Sequence, residues 1–249
     1  VLLSIPHGGL SVPEELHGRV CISKADLFDD IDPFAREIYD IGGRAVAVIS
    51  TDIARTFVDV NRAANDLPPA NTDGVIKSMT CFHKPIYLEE QEPDEEVTAK
   101  LLRGYYEPYH ERIRGALQHN EIELALDCHT MLAVDPPTFG APGKTRRALC
   151  LGNADGKTCS MEMIERLSQC FCKAFSLPER EVSLNQPFSG GHITRTYGGQ
   201  QIPWVQVEIN RAQYLAPPWS DSESLFIDPS RLEELNQRFE KTLSYFFKS

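Results

Sequence analysis

The chain has no uncharged stretch approaching the roughly 20 apolar residues that a membrane-spanning helix requires, so no bilayer is expected as a partner. Basic residues are scarce: 25 Lys and Arg stand against 36 Asp and Glu, a formal charge of -11. Nucleic acid and anionic membranes reward clustered Lys and Arg, so neither fits this composition. A small anionic substrate would need arginines placed locally. The seven cysteines are odd in number and lack the paired CxxC spacing of a structural zinc site, which suits reduced thiols in a cytoplasm. Internal repeats and low-complexity tracts are absent too. The first residues, VLLSIPHGG, read as a strand and a turn rather than a signal peptide. A soluble, cytoplasmic protein is expected, while length and charge leave the oligomeric state open.

What is present is a core. With 249 residues, 41% of them hydrophobic, the chain suffices for one large domain spanning 1–249. Short apolar runs alternate with segments of helical period, the pattern of an α/β fold. Val1 to Ile5, Ala45 to Ser50, Leu124 to Cys128, Ala148 to Leu151 and Val205 to Ile209 read as strands. Pro33 to Ile41, Asp94 to Asn120, Ser160 to Phe175 and Pro229 to Phe247 read as helices. Asp32 before Pro33, and Asp228 before Pro229, look like capping side chains ahead of a proline at the first helical position. Asn61 to Pro93 and Ala133 to Lys144 are long and weakly periodic, so they are candidate walls of a cleft.

In open α/β sheets ligands gather at the carboxyl ends of the strands, and four such segments are unusually polar. The first strand delivers His7 into a Gly8-Gly9 turn. In LALDCHT alternate residues share a face, which sets Asp127 beside His129 and turns Cys128 away. That pairing suits a metal-binding imidazole with a carboxylate that either binds or orients. In WVQVEINR the same alternation puts Gln206 and Glu208 together. A buried acid costs several kcal/mol unless it is paired, so Glu208 calls for a function unless its strand lies at a wet edge. In ARTFVDVNR, read as extended, Asp59 and Asn61 share a face between Arg55 and Arg62, whose guanidinium forks suit a substrate carboxylate. Finally, PFSGGHITRTYGG places His192, Thr194 and Arg195 behind two glycines, as an anion-binding loop or a lid.

Taken in order, IPHGG, DIDPFA, FVDVNR, YYEPYH, DCHT, GGHITRTYG and VQVEIN resemble the N-formylglutamate amidohydrolase family, from His7 to about Tyr214. The resemblance implies hydrolysis of N-formyl-L-glutamate to formate and glutamate in histidine breakdown. It also implies a mixed, largely parallel central sheet flanked by helices, similar to zinc carboxypeptidase and phosphorylase-like hydrolases. By the same resemblance His7 and His129 are metal ligands with Asp32 as the third, and Glu208 is the general base. Asp29 and Asp30 lie close enough to replace Asp32, whose place before Pro33 capping also explains. Arg55, Asn61, Arg62, His192, Thr194 and Arg195 are the implied substrate-binding residues. His110 matches a family motif and could equally serve helix packing.

Two histidines and one carboxylate around a single divalent ion, with a fourth position for water, are what a catalytic zinc needs. Co, Mn, Ni or Fe(II) would also be accepted. On this reading Glu208 takes the water's proton and passes it to the departing amine, while Arg62 or Arg195 stabilises the oxyanion or the substrate carboxylates. A Cys128 nucleophile is disfavoured, because neighbours on a strand point to opposite faces and Cys128 cannot reach His129. Another acidic N-acyl amino acid as substrate, a carboxypeptidase-like enzyme, or a non-catalytic binder of acidic small molecules remain the alternatives.

Overall fold

The computed structural model of the protein describes residues 1–137, 141–215, 219–221 and 223–248. Six strands form one sheet in the order β2-β1-β3-β6-β4-β5. They are β1 (Leu2–Ile5), β2 (Ala47–Ser50), β3 (Ala125–Met131), β4 (Leu149–Gly152), β5 (Val182–Leu184) and β6 (Trp204–Asn210). The four strands β2, β1, β3 and β6 are parallel, β4 runs antiparallel to β6, and β5 is parallel to β4. The sheet is thus mixed and largely parallel, as expected. β6 lies inside it with all seven residues buried, which removes the wet-edge explanation of Glu208.

One face is covered by α2 (Ala35–Tyr39), α5 (Met161–Phe175) and α7 (Pro229–Lys248). Helix α5 buries Ile164, Leu167, Phe171 and Phe175, a spacing of three to four that makes one apolar stripe. The Ser160 hydroxyl begins that helix by accepting from the Met163 amide. Leu3, Ile5, Leu126, Cys128, Val205 and Val207 meet this layer. The other face is covered by α3 (Glu95–Leu101) and α4 (Glu107–Ala116), joined by one π-helical turn, Leu102–Tyr106, and by the long segment from residue 53 to 87. The π turn precedes Pro108, which has no N–H for the carbonyl four residues back and would clash with it in a regular helix.

Some expectations shift. The helix after Pro33 begins only at Ala35, and its N-cap is Phe34 with φ 61 and no side-chain cap, so Asp32 does not cap it. Phe34 is held there by the rings of Phe28 and Tyr214, 5.9 and 6.3 Å away between centroids. The segment around FVDVNR is a run of turns rather than a strand, because the Asp59 carboxylate accepts from the Asn61 amide two residues on and closes a side-chain turn. His192–Tyr197 is a short helix, α6, rather than a loop. Lys24–Asp30 forms helix α1 behind a Ser23 cap, an element the apolar periodicity does not announce. Of Ala133 to Lys144, residues 138–140 lie outside the described residues; the two flanks are tied by a bridge from Val134 to Thr145.

Among the described residues no disulfide joins any of the seven cysteines, and Cys128, Cys159 and Cys170 belong to the apolar core. Among the described residues no helix is long and apolar enough to cross a membrane.

Candidate metal centre and active site

Alternation along the strands builds the site. On the face toward α4, β1, β3 and β6 each begin apolar, with Leu2, Ala125 and Trp204. They turn polar toward their carboxyl ends with Ser4, then Asp127 and His129, then Gln206 and Glu208. The register sets Asp127 opposite Gln206 and His129 opposite Glu208. His7 lies two residues past the end of β1, so the two histidines arrive at the same end of neighbouring strands.

Their Nδ1 atoms stand 3.1 Å apart. Asp32 Oδ2 lies 3.1 Å from the His129 Nδ1 and 3.6 Å from the His7 Nδ1, and all three residues are buried. This is the one group of three or more His, Cys, Asp or Glu among the described residues that could hold a metal ion. An ion held tetrahedrally at about 2.0–2.1 Å spaces its ligand atoms by about 3.3–3.4 Å, close to the edges of this triangle. The far ring nitrogens each meet a carboxylate. His7 Nε2 lies 2.7 Å from Asp59 Oδ1, and His129 Nε2 lies 3.2 Å from Asp127 Oδ1. With both far nitrogens donating, the two Nδ1 lone pairs and the Asp32 oxygen converge on one point, an arrangement that suits a cation. Such outer carboxylates are what orient metal-binding imidazoles.

The acids are not interchangeable. Asp30 accepts from Thr56, the Cys81 amide and the Lys77 ammonium, so it is turned away from the histidines. Asp32 is steadied by the Thr130 amide at 3.1 Å and Arg211 at 3.4 Å. Asp127 orients His129 from behind and accepts from the Thr194 hydroxyl at 3.0 Å. Burial alone would raise the carboxyl of Asp59; Arg55, His7 and Arg62 overcome this and hold it well below the usual range. Glu208 has no such ring of cations. Burial pushes it up to about 7, His129 pulling down and Asp32 pushing further up. A group that gains and loses a proton near neutrality suits general acid and base work.

A cavity of about 660 Å³ opens over this group. His7, Asp32, His129 and Glu208 line it together with Arg55, Asn61 and Arg62, and both long segments contribute to its walls as expected, from Asn71 to His83 and at Pro136. Arg55 donates to Asp59 at 2.8 Å, while its buried Nε has no hydrogen-bond partner among the described residues. Arg62 is braced by Asp73 through Nε and one terminal nitrogen. His192, Thr194 and Arg195 are not among the lining residues. The Thr194 hydroxyl is engaged by Asp127, and Arg195 turns outward onto the Gly190 carbonyl and the Ser189 hydroxyl. His192 meets the Tyr106 hydroxyl at 3.3 Å. His110 sits behind the wall, its ring between the Val60 carbonyl and the Tyr197 hydroxyl.

Sequence reasoning did not assign Arg146, Lys77 or Arg211, which also line the cavity. Arg211 directly follows β6 and reaches the carbonyl of Asp29. Its position one residue past VQVEIN was the available signal. Lys77 is buried between Asp30 and Asp73, and nothing local in the sequence distinguishes it from a surface lysine.

Residues 1–215 match the family profile described as N-formylglutamate amidohydrolase. An N-formylglutamate deformylase of Pseudomonas putida is 27% identical over 224 residues, covering 86% of this chain and 81% of that protein. Its counterpart from Pseudomonas aeruginosa is 26% identical, with 86% and 82% covered. Among solved structures, an N-formylglutamate amidohydrolase from Ralstonia eutropha superposes with a TM-score of 0.80 at 19% identity, covering 99% of this chain and 92% of that one. A gene product of Agrobacterium tumefaciens superposes with a TM-score of 0.63 at 16% identity, covering 98% and 90%.

Proposed function

The chain belongs to the N-formylglutamate amidohydrolase family, and from that premise we propose that it hydrolyses the amide of N-formyl-L-glutamate to formate and L-glutamate, with one divalent ion, zinc by preference, held by His7, Asp32 and His129. The observation that carries this reading is the meeting of two Nδ1 atoms and one carboxylate oxygen within 3.6 Å, beside Glu208 on the next strand. When bound, such an ion supplies Lewis acidity, which acidifies water and polarises a carbonyl.

The chain's own residues do the rest. Glu208 removes a proton from the attacking water as the water oxygen bonds to the formyl carbon. It then delivers that proton to the amide nitrogen as the C–N bond breaks, which gives formic acid and the free amine; the acid's proton passes to the amine, so formate and the ammonium form of L-glutamate leave with atoms and charge balanced. Arg55, with a buried Nε still to be satisfied, and Arg62, braced at the cavity wall, hold the substrate carboxylates, and Arg62 also faces the developing oxyanion. Asn61 completes that wall. Thr194 supports the site through Asp127, Arg195 holds the turn at Ser189 and Gly190 that leads into α6, and His192 braces α6 against Tyr106. The seven cysteines, with no disulfide among the described residues, fit a reducing cytoplasm, and the activity fits histidine breakdown.

The test is release of formate from N-formyl-L-glutamate, with N-acetylglutamate and N-formylaspartate alongside. Preference for the formylglutamate, and loss of turnover after exhaustive chelation with return on adding zinc, is the expected result. A preference for either analogue moves the substrate to another acidic N-acyl amino acid, and full turnover after chelation removes the metal.

A further inference from the structure

Gln206 shares the buried face of β6 with Glu208 and has no part in the reaction as written above. Its carboxamide lies between two partners. The Gly191 backbone N–H donates to Oε1 at 2.5 Å, and Nε2 donates to Glu208 Oε1 at 2.7 Å. A backbone N–H can only donate, so Gly191 draws the oxygen end of the carboxamide and thereby turns the amine end onto Glu208. One oxygen of Glu208 is engaged in this way, and the other remains for the reaction.

Close approach of the main chain makes this possible. Gln206 pairs across the sheet with Asp127 on one side and Gly152 on the other. Residues 188–190 lie over Gly152, where a Cβ would stand 2.7 to 2.9 Å from their backbone atoms. A Cβ at Gly191 would stand 2.6 to 3.0 Å from the Asn61 carboxamide. The same turn fixes Asn61, whose Oδ1 accepts from the Ile193 amide at 2.7 Å, leaving its amine end on the Asp127 and His129 side.

We propose that Gln206 is a positioning residue for Glu208, held by the Gly191 amide so that the base keeps one orientation toward the cavity. The proposal rests on Glu208 acting as the base. Gln206→Met keeps length and removes both hydrogen bonds; Gln206→Leu is a second, branched replacement. Without the donor, the carboxylate is free to turn among rotamers, and misplacement on this scale costs about 10–100-fold in rate.

The experiment pairs crystal structures with kinetics on the full chain. In either variant Glu208 should leave its single orientation, kcat should fall about 10–100-fold with KM for N-formyl-L-glutamate within about twofold, and metal content should be unchanged. In a Glu208→Gln background the same substitution should cause no further loss, since the two act as one unit. An unmoved Glu208, an unchanged kcat, or a full second loss in the Glu208→Gln background each overturns the proposal. If the unaltered protein does not hydrolyse N-formylglutamate, the functional reading falls and the crystallographic arm alone decides the positioning role. Should neither variant fold, the unaltered protein decides: Glu208 must keep its oxygen on the Gln206 amide with and without bound substrate, and a Glu208 that turns away overturns the proposal.

Discussion

On β1, β3 and β6 one face is apolar but for Thr130 near the end of β3, with Leu3 and Ile5, Leu126 and Cys128, and Val205, Val207 and Ile209 packed under α2, α5 and α7. The other face is apolar where each strand begins, at Leu2, Ala125 and Trp204, and then turns polar, with Met131 at the end of β3 the exception. Because strand side chains alternate, the same three segments build both faces. The first buries apolar area and stabilises the sheet; the second holds Asp127, His129, Gln206 and Glu208 at buried positions that would be costly anywhere without the first. Stability and chemistry are therefore separable by substitution, one residue apart on one strand.

The largest expected effect is on the polar side. Glu208→Gln keeps shape and hydrogen bonding and removes the proton acceptor, so kcat for formate release should fall by about 10²–10⁴ with little change in urea midpoint. Turnover at the parent rate would take Glu208 out of the reaction. On the apolar side, Leu126→Ala, one strand over, should lose about 2–5 kcal/mol of stability by urea unfolding while the folded protein keeps its kcat. A matching loss of kcat would show that the two faces are not separable.

Behind the histidines, Asp59→Asn weakens the partner of His7 Nε2. Metal affinity by competition with a chelator should drop about 10–100-fold, with the fold intact. An unchanged affinity would make Asp59 a partner of Arg55 alone. The smallest effect concerns pH. Burial pushes His110 down to about 4 against the pull of the Val60 carbonyl, below the ordinary 6.5. Between these values the unfolded chain binds a proton that the folded chain does not. Stability should then be complete above pH 6.5 and decline as pH falls toward 4, by on the order of 2 kcal/mol from this group. His110→Gln should flatten the urea midpoint over that window; an unaltered slope would assign it elsewhere.

Much of the site can be read from strand alternation alone. Asp127 beside His129, and Gln206 beside Glu208, follow from a period of two, and Glu208 stands out as the single charged residue of β6. The strand order and the three-residue β5 are not legible in this way, since three residues are too few to alternate recognisably. Asp32 is ambiguous from sequence because a residue before Pro33 is equally a cap. In the structure a left-handed Phe34 precedes the helix and the Asp32 carboxylate lies on the histidines instead of capping it. Asp59 as the partner of His7, across 52 positions, and Gly191 as the anchor of Gln206 depend on how distant segments approach, which no local spacing records.

The central claim is that His7, Asp32 and His129 hold a divalent ion on which turnover depends. Elemental analysis of the purified protein, run beside formate release, tests it most directly. A single divalent ion per chain is predicted, lost in His129→Ala together with activity while the variant stays folded; a metal-free protein that releases formate at full rate would contradict the account.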